Sequence, residues 1–237
     1  MAIGPDRTYM ARATTAAEID VGLRQYMLRV YNYMTGGLAV TGIVAYLVSN
    51  SPALLQAIYG TPLQWVVILA PVGFVLFFSF RLQKMSVPAA QAVFWAFAAV
   101  MGLSLASVFL IYTGASIARV FFITAATFAG MSLYGYTTSR DLSGFGSFLF
   151  MGLIGIILAM LVNLFLASSA LDFAISVIGV LVFTGLTAYD TQRIKEMYIE
   201  SDGTAVMTKK AILGALSLYL DFINLFLMLL RLLGSRE

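Results

Sequence analysis

Long apolar runs that recur along the whole chain limit most strongly how this protein can fold. Each run has close to the ~20 residues that an α-helix needs to cross a bilayer, and polar or turn-forming residues separate the runs. The predicted spans are Leu28–Val48, Leu63–Phe80, Ala89–Tyr112, Ile117–Tyr136, Phe145–Leu166, Leu171–Asp190 and Ala211–Leu233. The sequence therefore predicts an all-α membrane protein with seven transmembrane helices.

The composition supports this class, because 61% of the residues are hydrophobic and only 11% are charged. Soluble domains carry about 25% charged residues. We divide the chain into a cytoplasmic N-terminal segment, residues 1–27, and a seven-helix transmembrane domain, residues 28–237. Residues 16–29 are predicted either to form an amphipathic helix on the membrane surface or to belong to a partly ordered tail.

The chain contains neither cysteine nor histidine. This excludes thiolate chemistry, disulfides, Cys/His zinc sites, histidine-ligated haem and Ser-His-Asp catalysis. It also removes the side chain that most often senses pH near neutrality, so any such sensing would depend on carboxylates. We expect no enzymatic activity, no cofactor and no binding of nucleic acid.

The distribution of lysine and arginine predicts a cytoplasmic N-terminus. With this orientation the basic residues on the cytoplasmic side are Arg7, Arg12, Arg24, Arg29, Arg81, Lys84, Arg140, Arg193, Lys195, Lys209 and Lys210. Arg119, Arg231 and Arg236 fall on the other side. Seven spans would place the C-terminus outside, whereas a last segment that re-enters the membrane would return it to the cytoplasmic face.

Two aspartates, Asp190 and Asp221, lie in or at the edge of the last two apolar runs. A charged side chain at the bilayer centre costs about 2.5–3.5 kcal/mol on insertion scales, so such residues usually have a partner or a function. At 1.5 Å per residue, Asp190 lies about 28 Å from Leu171, near the cytoplasmic boundary, and Asp221 about 15 Å into the last span. This leaves a gap of roughly 10 Å between the two depths.

Arg81 ends the second span at a depth similar to that of Asp190, so the two could pair. Each of these residues also has a purely structural interpretation. Asp190 could be a solvated helix-end residue, Arg81 a positive-inside anchor and Asp221 a structural buried acid. Asn224 could equally form interhelical hydrogen bonds.

The last span carries a polar stripe, because its small and polar residues recur at intervals of three and four and so share one helix face. The stripe comprises Gly214, Ser217, Asp221, Asn224 and Met228. The other faces are apolar, which is typical of a helix that neighbouring helices surround. We expect the stripe to line an internal path.

Three segments carry a resemblance to a known family. They are Tyr-Asp-Thr-Gln-Arg-Ile-Lys at 189–195, Ala-Leu-Ser-Leu-Tyr-Leu-Asp-Phe-Ile-Asn-Leu-Phe at 215–226, and Met-Leu-Arg-Val-Tyr-Asn-Tyr-Met-Thr-Gly-Gly-Leu-Ala-Val-Thr-Gly at 27–42. The chain resembles the Bax inhibitor-1 family, in particular its bacterial branch. The resemblance extends from about residue 20 to the C-terminus.

The resemblance implies two layers of three helices around a central C-terminal helix, and a calcium leak controlled by pH through an aspartate pair. Carried onto this sequence, the pair is Asp190 and Asp221, and Arg81 is its basic partner. The same two aspartates would bind Ca²⁺ weakly, and Ser217 and Asn224 would extend the ion pathway. The implied partners are the bilayer, Ca²⁺, protons and a membrane protein, and the implied location is a bacterial inner membrane.

The residue pattern and the family resemblance together predict that the two carboxyl groups share a proton. This proton would hold the sixth and seventh helices together at lower pH. Loss of the proton would leave like charges that repel or recruit Arg81, and the helices could separate. Ca²⁺ seeks six to eight oxygen ligands, so two aspartates with carbonyls and water would form a transient site.

Other classes of membrane protein fit less well. A retinal protein needs a lysine in its last span, and Ala211–Leu233 has none. A rhomboid-type protease needs histidine, and of the aspartyl-protease motifs only Tyr189-Asp190 overlaps. A proton-coupled transporter would be favoured by an inverted repeat, which we do not detect. The main alternative is a non-conducting regulator that acts through membrane-protein partners.

Overall fold

The protein is an array of helices joined by short loops. The computed structural model describes residues 5–236, and their side chains from Val21 onward. The helices are α1 (Pro5–Ser49), α2 (Pro52–Tyr59), α3 (Leu63–Arg81), α4 (Val87–Leu105), α5 (Val108–Ile111), α6 (Gly114–Thr137), α7 (Ser143–Leu166), α8 (Ser169–Glu196) and α9 (Thr204–Leu233), with a 3₁₀ turn at Leu82–Lys84.

The predicted count of seven spans is confirmed. Six segments are each long and apolar enough to cross a membrane: α3 with its 3₁₀ turn, α4 with α5, α6, α7, α8 and α9. The seventh consists of Val21–Ser49 of α1 together with α2, and its two parts are bent by 99°. The protein is thus an integral multi-pass membrane protein.

The first predicted connector contains a helix of its own, α2. Ser51 caps it by accepting a hydrogen bond from the Leu54 amide, and Pro52 occupies the first turn, where its missing N–H costs nothing. The sequence predicted only a short connector here, because eight residues between turn signals are too few for a recognisable helical period.

The predicted N-terminal segment has no separate boundary in the fold, since α1 continues through residue 28 without a break. The side chains of residues 5–20 lie outside the described part of the chain. The prediction of an amphipathic surface helix over residues 16–29 therefore falls partly outside it as well.

The helices form two layers with α9 between them. One layer contains α1, α3 and α4, and the other contains α6, α7 and α8. Helix α9 contacts α1, α4, α6 and α8 and is mostly buried, whereas α3 and α7 present large apolar side chains outward. The predicted arrangement around a central C-terminal helix is confirmed, and the apolar exterior suits contact with lipid.

The prediction that the sixth span ends at Asp190 is wrong, because α8 continues to Glu196. The polar residues after Asp190 find partners inside the bundle. The Gln192 amide donates to the Arg140 carbonyl at 2.8 Å and accepts from the Leu142 amide at 2.9 Å. Lys195 donates to the carbonyl of Tyr136 at the end of α6. Similarly, α9 begins at Thr204 rather than Ala211.

Helices α8 and α9 are antiparallel and approach closely at two glycines. Gly214 packs against Ile194, and Gly179 packs against Met228. Interpolation between these two contacts places Asp190 beside residues 217 and 218 of α9. Asp221 is therefore about one helical turn, roughly 5 Å, further along α9.

A cysteine pair tests this register in a chain that has no other cysteine. A Cβ atom added at Gly179 would lie 3.6 Å from Cβ of Met228, which is within the range for a disulfide. We expect Gly179→Cys/Met228→Cys to cross-link under mild oxidation, measured by mass spectrometry as loss of both free thiols. Gly179→Cys/Ser217→Cys, with sites about 16 Å apart along α9, should stay reduced. Equal cross-linking of both pairs would contradict the register.

A matched pair of glycines on α6 tests the packing between α6 and α8. A Cβ atom at Gly135 would lie 2.1 Å from the Ala188 carbonyl oxygen, whereas Gly130 has no neighbour within 4 Å. Overpacking typically costs about 1–3 kcal/mol, so Gly135→Ala should lower the thermal unfolding temperature in detergent. Gly130→Ala should leave it unchanged or raise it slightly, because alanine favours the helix. Equal unfolding temperatures would rule out this close helix contact.

Candidate functional site

A cavity of about 490 Å³ lies between α7, α8 and α9. Its polar lining comprises Asp190 and Arg193 of α8 and Ser217, Asp221 and Asn224 of α9, with Ser147 of α7. The remaining wall is apolar and aromatic: Gly146, Phe150, Leu153, Phe183, Leu186, Tyr189 and Leu220. All four residues predicted for an ion pathway therefore face one cavity, although their role in ion passage stays a prediction.

The carboxyl groups of Asp190 and Asp221 lie within hydrogen-bonding distance of each other. Asp190 is half-buried, and Asp221 is only 5% exposed. In the described part of the chain no N–H or hydroxyl group donates to Oδ2 of Asp221. A proton held between the two carboxyl groups is the arrangement that would satisfy this oxygen, because two bare carboxylates in contact repel each other.

The expected gap between the aspartates closes because α8 is longer than predicted. Asp190 lies six residues, about 9 Å, before the end of α8 at Glu196. Ile212 is opposite that end by the glycine register, and Asp221 lies about 14 Å beyond it. The difference of roughly one turn is within the combined reach of two aspartate side chains.

The residues of the polar stripe share one face of α9, as their spacing predicted, and this face is turned towards α8. The two ends of the stripe, Gly214 and Met228, are the residues that pack against α8. Between them, Ser217 and Asn224 are half-buried at the cavity wall. The Asn224 amide donates to the Leu220 carbonyl at 2.8 Å, so one of its two polar functions is already used within α9.

A close approach between α7 and α8 shapes the wall beside Asp190. A Cβ atom at Gly146 would lie 2.3 Å from the ring of Tyr189, so only glycine lets this ring lie against α7. This ring belongs to the residue directly before Asp190 and lines the same cavity. Gly146 was not identified from the sequence.

Arg193, rather than Arg81, is the cation beside the aspartates in this conformation. Arg193 is exposed at the cavity and follows Asp190 by three residues, so the two share a helix face. Arg81 is exposed at the end of α3 and does not line the cavity. The spacing of three residues between Asp190 and Arg193 could have indicated from the sequence that Arg193 lies beside the aspartates. A role of Arg81 in a different conformation stays a prediction.

The cavity offers a cation few charged ligands. Within residues 21–236, no three side chains of the types His, Cys, Asp and Glu cluster as a metal site. A cation would meet the Asp190 and Asp221 carboxylates, the Ser217 hydroxyl and the Asn224 amide, and would need water for its remaining ligands. Such a set suits brief coordination better than tight storage.

Known proteins match this chain over nearly its whole length. The family model described as "Inhibitor of apoptosis-promoting Bax1" matches residues 23–237. The inner membrane protein YbhL of Escherichia coli K12 is 49% identical over 229 residues, covering 95% of this chain and 98% of the relative. An uncharacterised protein of Rickettsia prowazekii is 49% identical over 232 residues, covering 97% and 98% of the two chains.

A more distant relative shows how far the similarity extends. An uncharacterised membrane protein of Streptococcus pyogenes serotype M3 is 36% identical over 220 residues, which cover 92% of this chain and 96% of the relative. The resemblance inferred from the two aspartate motifs is confirmed. The chain belongs to the Bax inhibitor family of membrane proteins.

Proposed function

We propose that this protein is a pH-sensitive calcium-leak channel whose gate is the carboxyl pair of Asp190 and Asp221. The observation that carries the proposal is the contact of these two groups at a polar cavity between α8 and α9. Family membership supports it, because the family resemblance implies this activity. The proposed location is a bacterial inner membrane with the N-terminus in the cytoplasm, in keeping with the inner-membrane relative of E. coli.

The carboxyl contact gives the gate its direction of pH dependence. At lower pH one proton serves both groups and joins α8 to α9, which is the closed state. As the pH rises the proton leaves, and two like charges in contact repel each other in a low-dielectric site. Opening is therefore favoured by alkaline conditions.

The described conformation corresponds to the closed state. Beyond Asn224 the two helices pack tightly, with Met228 against Gly179 and with Leu225 and Leu229 buried. An ion in the cavity would have to pass this packed region. Loss of the proton would relieve the closure by letting α8 and α9 move apart.

The cavity chemistry suits a permeating divalent cation. When both carboxylates are ionised they offer two negative charges, and Ser217 and Asn224 add neutral oxygen ligands. Permeation requires that a site attract an ion without holding it, and a partly hydrated two-carboxylate site meets this requirement. The proposed partners are thus the bilayer, Ca²⁺ and protons, with no resident cofactor and no enzymatic reaction.

The sealed α8–α9 interface also suits the alternative of a non-conducting regulator that acts on another membrane protein. Flux through purified protein separates the two functions, because a regulator needs its partner. Folded, reconstituted protein that passes no Ca²⁺ at any pH from 6 to 8 would leave only the regulatory function.

Calcium flux into dye-loaded proteoliposomes should rise with pH between 6 and 8, by up to about tenfold per pH unit for a single proton. Asp190→Asn and Asp221→Asn should each abolish the pH step, because an amide cannot lose the shared proton. The double variant should lose the same step and no more. Asp172→Asn is the matched control, since Asp172 lies at the other end of α8 beside Arg231 and should keep the step. Additive losses in the two single variants would contradict a shared proton.

Arg193→Gln should move the midpoint of the pH step to higher pH, by up to about one unit. A cation near the pair favours its ionised form, so its removal makes the proton harder to lose. The midpoint of calcium flux in proteoliposomes is the measurement. Arg81→Gln tests the residue that the family resemblance implied, and an equal shift there would assign the effect to a conformation in which Arg81 reaches the pair. A midpoint unchanged in Arg193→Gln would remove Arg193 from the gate.

A further inference from the structure

We propose that the groove between α1 and α6 binds one acyl chain of an anionic phospholipid, with the headgroup at Arg24 and Lys195. The groove exists because α1 and α6 both contact α9 but hardly contact each other. It contains a cavity of about 540 Å³, and this site is separate from the aspartate cavity.

The groove continues beyond this cavity through a second one, which shares Met34 and Phe128 and reaches Ile43 and Phe121. The first cavity has the length of one membrane leaflet. Along α1 its lining runs from Arg24 to Met34, ten residues or about 15 Å of helix. Half of a hydrocarbon core about 30 Å thick is the same distance. Along α6 the lining runs from Tyr136 to Phe128, about 12 Å. An acyl chain that entered at Arg24 would therefore end near the bilayer midplane.

The wall of the groove is apolar and open to the surrounding lipid. Met27 and Met34 form its floor, and Leu28 and Leu133, both more than half exposed, form its rims. Methionine side chains adapt their shape and suit a flexible hydrocarbon chain.

Two hydroxyl groups in the wall, one half-buried and one buried, already have partners. The Tyr31 and Ser132 hydroxyls bond to each other at 2.6 Å, and the Ser132 hydroxyl also bonds to Thr191 at 2.9 Å. A hydrocarbon chain placed against them would leave no hydrogen bond unsatisfied.

One end of the groove carries positive charge. Arg24 lines this end, and the Lys195 ammonium lies 5.6 Å from the ring centre of Tyr136, which lines it too. A zwitterionic headgroup would gain less from these two cations than an anionic one. Each basic residue near an anionic surface adds about 1 kcal/mol, which is a preference of about fivefold.

The test uses purified full-length protein in nanodiscs with phosphatidylglycerol or phosphatidylcholine that carries a photoreactive acyl chain. Mass spectrometry of digested protein locates the labelled residues. We expect labels to concentrate on the groove residues of α1 and α6, with phosphatidylglycerol labelling at least about fivefold above phosphatidylcholine. Labels spread evenly over the lipid-facing helices, or equal yields from the two lipids, would overturn the proposal.

Two variants locate the chain within the groove. Ala129 is an exposed lining residue, so Ala129→Phe would fill the groove without entering the core. Ala126→Phe is its control, because Ala126 is exposed on α6 and does not line this cavity. Groove labelling should fall several-fold in the first variant and persist in the second. Equal labelling in both would overturn the site.

A charge variant tests whether Arg24 binds the headgroup, and it leaves the groove itself open. Arg24→Gln should reduce the preference for phosphatidylglycerol by about fivefold, whereas Arg81→Gln, which neutralises an exposed arginine on α3, should preserve it. A preference that Arg24→Gln leaves unchanged, or one that falls equally in both variants, would remove Arg24 from the site. Calcium flux is not a readout in these experiments, so they stand or fall independently of the proposed channel activity.

Discussion

The fold depends on the packing of α9 against α8, because this interface holds the two carboxyl groups together inside an apolar bundle. A single aspartate there would cost several kcal/mol. Two aspartates in contact can reduce that cost by holding a proton between them, but only while the helices stay in register. The close contacts at Gly214 and Gly179 fix this register along the stretch that contains both aspartates. Helix packing and the chemistry of the site thus depend on the same interface.

The sequence predicted what depends on hydrophobic length and helical period. The seven spans followed from apolar runs of bilayer length, and the α9 stripe from Ser217 to Asn224 followed from spacing by three and four. The end of α8 could not be predicted in this way. Polar residues such as Gln192 and Lys195 predict a loop. In the structure their side chains donate to carbonyl groups at the end of α6 and in the loop that follows it, and these residues stay helical. Tertiary partners overrode local polarity.

The same limit applies to the charges around the site. Counting residues along the predicted spans placed Arg81 at the same membrane depth as Asp190. The depth of a residue along its helix, however, does not determine which layer that helix joins. Helix α3 lies in the layer of α1 and α4, and this leaves Arg81 exposed away from the cavity. Arg193 was within reach of sequence reasoning, because three residues separate it from Asp190 on one helix. The α1–α6 groove was not, since it arises from two helices that share a neighbour but make few contacts with each other.

The thermodynamics of one proton limit how such a gate can be built. Loss of a single shared proton changes the closed–open equilibrium by at most about 1.4 kcal/mol per pH unit. Between pH 6 and pH 8 this amounts to about 2.7 kcal/mol, or a hundredfold change in the ratio of the two states. The closed and open states must therefore differ by only a few kcal/mol for the gate to respond in this range.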